Sequence, residues 1–307
     1  MRRPVLACAA AGILAFSLLA GGAASALSRP AHSTSRPSVS TTASTTASTT
    51  ASTTASTTAS TTGPAATTAN HFVSNLQGAS DGPRSVGFNI FDTGSNKQQI
   101  DALPAGVRAL VWLGQKCPTP ADAAFKSTVT ALAKDPKVFG YYLSDEPHIA
   151  DCPSGPQNLR TRTDFIRQAT GMKQKSFIVL SKDEDYAPFR IAVSGISYIG
   201  LDPYPCSVAH PTCDPTKIDE KVDLALGAGL PLGRIVPVYQ AFGQTATSSH
   251  YYNLPTAAQM QTMLERWAAR VPHPAFDYTY GWAHQSSSNP TLVDSPQLQG
   301  LFRGYFG

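Results

Sequence analysis

The sequence predicts an α/β protein, a (β/α)8 barrel of the TIM type, and three observations predict it. Short apolar runs alternate with amphipathic stretches across the last three quarters of the chain. The runs are near-continuously apolar, as strands covered by helices are, rather than alternating apolar and polar. Polar and aromatic residues gather where the runs end: Asp92, Gln115, Glu146, Asp183, Asp202, Gln240 and Trp282. One site assembled from many strand ends is the arrangement of a barrel. A doubly wound open parallel sheet is the alternative. The first unit carries neither a G-x-G-x-x-G turn nor a P-loop, which argues against a nucleotide-binding version of it.

The first 26 residues read as a signal peptide. Arg2 and Arg3 precede an apolar run from Val5 to Leu19, and Ala24-Ser25-Ala26 follows as an A-x-A-like cleavage site. The run is short and broken by Gly, Cys and Ser, unlike a membrane span. Residues 27–70 are rich in Ser, Thr, Ala and Pro, and "TTAS" repeats from Thr41 to Ser60. Such a segment has too little apolar surface to offset the entropy of ordering, so a disordered stalk is expected there. Residues 71–307 are long enough for one large domain with its own core.

The strands of that domain read, in order, "SVGFNIF", "VRALVWLG", "VFGYYLS", "SFIVLS", "ISYIGLD", "RIVPVYQ" and "FDYTYGW", with an eighth expected in "HFVSNLQG" or an irregular segment. Between them lie helices with identifiable start signals. Thr119-Pro120 supplies a cap and a first-turn proline before Phe125, Val129 and Leu132. Thr216 leads into Ile218, Val222 and Leu226, and the pattern stops at Gly227 and Gly229. Met260, Met263, Leu264 and Trp267 form another stripe, ended by Pro272. Ser295-Pro296 opens a last helix carrying Leu298, Leu301 and Phe302.

Composition limits the function classes. The net charge is +4 with a pI near 8.8, and the basic residues are scattered, so nucleic acid is not a partner to expect. Charged residues are 14% of the chain, and Tyr, Asn, Gln, Ser and Thr supply the remaining polarity. After export, four of the five cysteines remain: Cys117, Cys152, Cys206 and Cys213. An even count in an exported chain predicts disulfides. Cys206 and Cys213 bracket one short loop. Cys117 and Cys152 each follow a strand end, on successive strands. Zinc would need a pattern such as C-x-x-C, which is lacking, and no cofactor or metal is expected. The expected product is a secreted, extracellular monomer with no membrane contact after cleavage, associated with a cell wall through its stalk.

The chemistry is concentrated in "VFGYYLSDEPHIADCP". Side chains alternate along a strand. Gly140, Tyr142, Ser144 and Glu146 therefore share one face, and Phe139, Tyr141, Leu143 and Asp145 the other. The first set suits the barrel interior, so Glu146 is expected to point into the mouth and Asp145 away from it. In "SYIGLDPYP" the same reasoning puts Tyr198, Gly200 and Asp202 inward. Glu146 and Asp202 would then stand at equivalent heights on two strands. Two carboxylates across one mouth are the minimum for hydrolysing a glycosidic bond: one protonated to donate to the leaving oxygen, the other ionised. Aromatic and polar residues near strand ends fit a sugar ligand: Asp92, Tyr142, Asp145, His148, Asp183, Tyr204, Tyr239, Gln240, Tyr280, Trp282 and His284.

"GYYLSDEPH" resembles the fourth-strand signature of (β/α)8-barrel glycoside hydrolases, in which an acid–base Glu follows Asn or Asp and precedes Pro. "GLDPYP" and the final-strand Trp are similar to such barrels too. The resemblance implies that Glu146 is the proton donor. Retaining members that share the motif place a nucleophilic Glu near the end of strand seven, where "VPVYQAFG" offers Gln240. The missing nucleophile leaves four readings: Asp202 serves, an acid of "KDEDY" (Asp183, Glu184, Asp185) serves, the substrate supplies its own nucleophile, or the domain binds sugar without cleaving it. The leading expectation is a glycoside hydrolase acting on a polysaccharide through Glu146 and Asp202, and the alternative is a cell-surface carbohydrate-binding pseudoenzyme. A metal-dependent hydrolase built on Asp145, Glu146 and His148 matches no zinc spacing.

Overall fold

The computed structural model describes residues 66, 68–207, 212–244, 252–285 and 289–307. The signal peptide and the stalk lie outside the described residues. Eight parallel strands close into a barrel in sequence order: β1 (His71–Val73), β2 (Ile90–Thr93), β3 (Arg108–Trp112), β4 (Val138–Asp145), β5 (Lys175–Leu180), β6 (Tyr198–Leu201), β7 (Ile235–Gln240) and β8 (Asp277–Tyr280). The eighth strand is supplied by the start of "HFVSNLQG". It pairs with β2 on one side and β8 on the other, which closes the barrel. It also makes the strand that ends in Asp145-Glu146-Pro147 the fourth rather than the third.

Around the barrel lie α1 (Asp81–Val86), α2 (Lys97–Asp101), α3 (Ala123–Leu132), α4 (Gly155–Thr170), α5 (Asp183–Phe189), α6 (Ile191–Ser194), α7 (Thr216–Gly227), α8 (Ala257–Arg270) and α9 (Pro296–Phe306). The expected last helix starts at Pro296, with the Ser295 hydroxyl accepting from the Leu298 N–H. The Met and Trp stripe of α8 is buried and begins at a reciprocal Thr256–Gln259 cap. The α3 start differs from expectation. Asp122, not Thr119, caps it by accepting from the Phe125 N–H. Thr119 is engaged elsewhere: its N–H and hydroxyl meet Gln115, and its hydroxyl and carbonyl accept from the buried Arg162.

Two apolar cores follow from strand alternation. The inner one holds Phe72, Ile90, Leu110, Tyr142, Phe177, Val179, Val236, Val238, Phe276 and Tyr278. Phe72 on β1 and Phe177 on β5, half a barrel apart, meet edge to face at 6.4 Å, so rings fill the interior. The outer core lies between strands and helices and includes Val111, Tyr141, Leu143, Ile178, Leu180, Ile199, Leu201 and Tyr239.

The strand that matters most departs from simple alternation. Along β4 and β5, Tyr142 pairs with Phe177, but Ser144 pairs with Ile178 and Asp145 with Val179, so Leu143 is skipped. One extra residue in a strand reverses the facing of everything after it. Ser144 consequently turns outward, where its hydroxyl donates to the Gln115 carbonyl. Asp145 takes the inward register of Val179, opposite to the expectation.

Candidate active site

The site occupies the C-terminal mouth of the barrel. Glu146 follows β4 at φ +46°, a left-handed backbone that a non-glycine residue adopts only when held there. Several contacts hold it. Its N–H donates to the Val179 carbonyl at 3.1 Å. The buried Pro147 follows it. Past Pro147, His148 Nδ1 meets Asp185 Oδ2 at 2.9 Å, and the Ile149 N–H donates to Asp185 Oδ1 at 2.7 Å. Asp185, fully buried in the first turn of α5, thus clamps the loop that carries Glu146.

Asp202 ends β6 and is buried, 4% exposed, with no donor to either carboxyl oxygen. Burial raises its carboxyl well above the usual range, and the adjacent Glu146 carboxylate, within hydrogen-bonding reach, raises it further. Glu146 can accept from Asp202 only if Asp202 carries a proton. Both effects favour the protonated form of Asp202.

Asp145 lies beside this pair. Tyr142 Oη donates to Asp145 Oδ1 at 2.5 Å. The residue is exposed over part of its surface, and protein atoms crowd its carboxyl. That enclosure raises it to about 6. The Tyr142 hydrogen bond pulls downward, and the Glu146 charge pushes upward. Asp92, at the end of β2, is also raised to about 6 by burial, against the pull of backbone N–H groups that include Asn75 at 2.9 Å. Tyr278 and Tyr280 on β8 feel both Asp92 and Asp145, and burial holds both phenols protonated. Tyr204, at φ +41° just past Asp202, stacks edge to face on Phe242 at 5.0 Å and on Tyr252 at 5.3 Å.

The mouth thus brings together Asp92, Tyr142, Asp145, Glu146, Asp202, Tyr204 and Tyr280. The other expected contacts face away from the mouth or are engaged by the scaffold. Tyr239 faces outward, buried between β7 and α9 against Phe302 and Tyr305. Trp282 is 4% exposed and packs edge to face on Phe88, behind the strands. His284 pairs with Asp294 at 2.6 Å on an outer loop. Asp183 pairs with Lys221 at 2.6 Å, and Glu184 is exposed on α5. His148 is committed through Nδ1 to Asp185. Gln240 lies on the inner register of β7 with Val236 and Val238, yet its amide is consumed by the scaffold. Its Oε1 accepts from the Cys206 N–H at 2.9 Å, and its Nε2 donates to the carbonyls of Cys206, Phe242 and Asn253. Neither Tyr278 nor Trp112 belonged to the sequence-derived set, although Trp112 also ends a strand and carried the same signal.

Two disulfides frame the mouth. Cys117–Cys152 joins the loops after β3 and β4, with Cα atoms 5.3 Å apart, and Cys206–Cys213 closes the loop after β6, at 4.1 Å. No cluster of three or more His, Cys, Asp or Glu side chains is placed to hold a metal among the described residues, and no described helix is long and apolar enough to cross a membrane.

Comparison with known proteins places the fold. No protein-family model matches the chain, and no curated protein matches it. Solved structures do. A chitinase from Bacteroides thetaiotaomicron is 12% identical with a TM-score of 0.51, over 77% of this chain and 96% of that one. A GH128 (subgroup I) endo-beta-1,3-glucanase from Amycolatopsis mediterranei, in complex with laminaripentaose, is 15% identical with a TM-score of 0.47, over 76% and 98%. A chitinase-like agglutinin from Robinia pseudoacacia is 11% identical with a TM-score of 0.48, over 78% and 99%.

Proposed function

We propose that this barrel, which has the fold of glycoside hydrolases without a specific family, hydrolyses glycosidic bonds in a polysaccharide, with Glu146 as the general acid. What supports this reading is a half-buried Glu146 beside the buried Asp202, whose carboxyl oxygens meet no donor and whose hold on a proton is strengthened by burial and by the Glu146 charge. Two adjacent carboxyls resist full ionisation, so the pair favours sharing one proton. Asp202 holds that proton inside the protein, and Glu146 presents it to the open mouth. As the bond to the anomeric carbon breaks, the leaving oxygen takes the proton from Glu146. A water oxygen adds to the carbon and gives its proton to Asp145. Above about pH 6 Asp145 is ionised, and its charge stabilises the positive carbon of the transition state. The protonated tyrosines hold the sugar by hydrogen bonds and ring contacts. Asp202 thus remains the partner of Glu146, as its proton store rather than as the ionised nucleophile.

The export reading stands alongside. Two disulfides fit an oxidising compartment, which agrees with a signal peptide over residues 1–26 and a stalk ahead of a domain over 71–307.

Wild-type protein on a panel of polysaccharides should release reducing ends. Glu146→Gln should lower turnover by about 10²–10⁴-fold while leaving the fold intact. Wild-type turnover in Glu146→Gln would remove the acid role. One observation favours a second reading, a carbohydrate binder without turnover: the strand-seven position holds Gln240 with every amide atom committed. Glycan binding by the wild type with no product would select it.

A further inference from the structure

We propose that Trp112 is an aromatic platform for a sugar ring, making a glycan subsite on the β3 side of Glu146. The proposal rests on the glycan reading above and names a contact that it lacks. Trp112 closes β3 at the mouth and is 43% exposed, whereas most large apolar side chains of the strands are buried. Its ring meets Tyr142 edge on, at 4.8 Å and 87°, and Tyr142 in turn donates to Asp145. The indole is therefore one ring away from the carboxylate cluster.

Its pose is built by the chain. A Cβ at Gly114 would lie 2.3–2.6 Å from three atoms of the indole's six-membered ring. Only glycine lets the ring lie down over the backbone two residues further on. The exposed indole is thereby fixed between Gly114 and Tyr142 rather than free to rotate. A rigid flat apolar surface, open to water beside hydrogen-bonding carboxyls and phenols, matches a pyranose, whose apolar C–H face stacks and whose hydroxyls hydrogen-bond. In a closed eight-stranded barrel β3 stands opposite β7. Just past β7, Phe242 joins Tyr204, Tyr252 and Tyr280 in a second aromatic group. Glu146 and Asp202, on β4 and β6, lie between the two. Trp112 thus lies on the opposite side of the acid pair from that group, where a ring of a chain substrate can stack.

The test uses intrinsic fluorescence and kinetics. The chain has three tryptophans, and Trp267 and Trp282 are 2% and 4% exposed, so iodide-quenchable emission reports Trp112. Iodide quenching of full-length Glu146→Gln protein is measured with and without oligosaccharides of two to six units, cut from whichever polysaccharide the wild type degrades. Longer oligosaccharides should shield the quenchable emission. Trp112→Phe should abolish the quenchable component. Trp112→Ala in the active protein should raise KM for the polymer about tenfold, with a smaller change in kcat. Hydrolysis by the wild type with quenching unchanged at saturating oligosaccharide, or with polymer KM unmoved by Trp112→Ala, overturns the platform and leaves the hydrolase reading standing. A wild type that neither cleaves nor binds any glycan overturns both.

Discussion

Replacing Asp92 by asparagine measures what a mouth carboxylate costs the fold. In the folded protein this carboxyl is held at about 6, against an ordinary 3.8. Below about pH 4 it is protonated both folded and unfolded and adds no pH dependence. As the pH rises toward 6, the unfolded chain releases the proton while the folded one keeps it, so the folded state loses stability. Above about 6 both forms are ionised and the loss is complete. A difference of about two pKa units at 1.36 kcal/mol each amounts to about 3 kcal/mol. That is a large part of a typical stability of about 5–15 kcal/mol. Asparagine keeps the shape and an acceptor for the Asn75 N–H but does not titrate. Urea denaturation of both proteins at several values between about pH 3.5 and 7.5 gives the difference. The variant should gain on the wild type by about 3 kcal/mol across that range, mostly between about pH 4 and 6, then level off. A fixed cost of the new amide group shifts all points equally and cancels. A difference that stays flat with pH refutes the burial argument for Asp92.

The remaining predictions concern the scaffold around the mouth. Gln240→Glu should not create a nucleophile. It replaces an amide donor with a charge facing the carbonyls of Cys206, Phe242 and Asn253, so unfolding should become easier by about 3–5 kcal/mol with no gain in turnover, read by denaturation and product assay. Asp185→Ala removes the partner of His148 and of the Ile149 N–H, so stability should fall by about 2–3 kcal/mol, and kcat should fall more than in Asp185→Asn, which keeps acceptor and donor atoms. Replacing both cysteines of the 117–152 bridge should cost about 4 kcal/mol, and of the 206–213 bridge about 2 kcal/mol, because the closed loops span 35 and 7 residues. Equal losses in the two double variants would count against loop closure as the source.

Fold class was legible because it depends on a repeating local pattern. Apolar runs and amphipathic stretches declare strands and helices wherever they occur, and their alternation admits few architectures. The short first strand lay in one of the two places left open for it, the start of "HFVSNLQG". Glu146 and Asp202 were legible for the same reason, since strand ends are marked by the change from apolar to polar residues. Facing was not. A single skipped residue at Leu143 turned Asp145 into the mouth, and no feature of "YYLSDE" separates a bulged strand from a regular one. Nor could the sequence separate Trp112, exposed at the mouth, from Trp282, buried behind it, because both follow apolar strands and differ only in what packs against them. Protonation was decided last of all. Asp202 is an ordinary aspartate in the sequence; burial and the nearness of Glu146, both products of strands distant along the chain, shift it toward the protonated form.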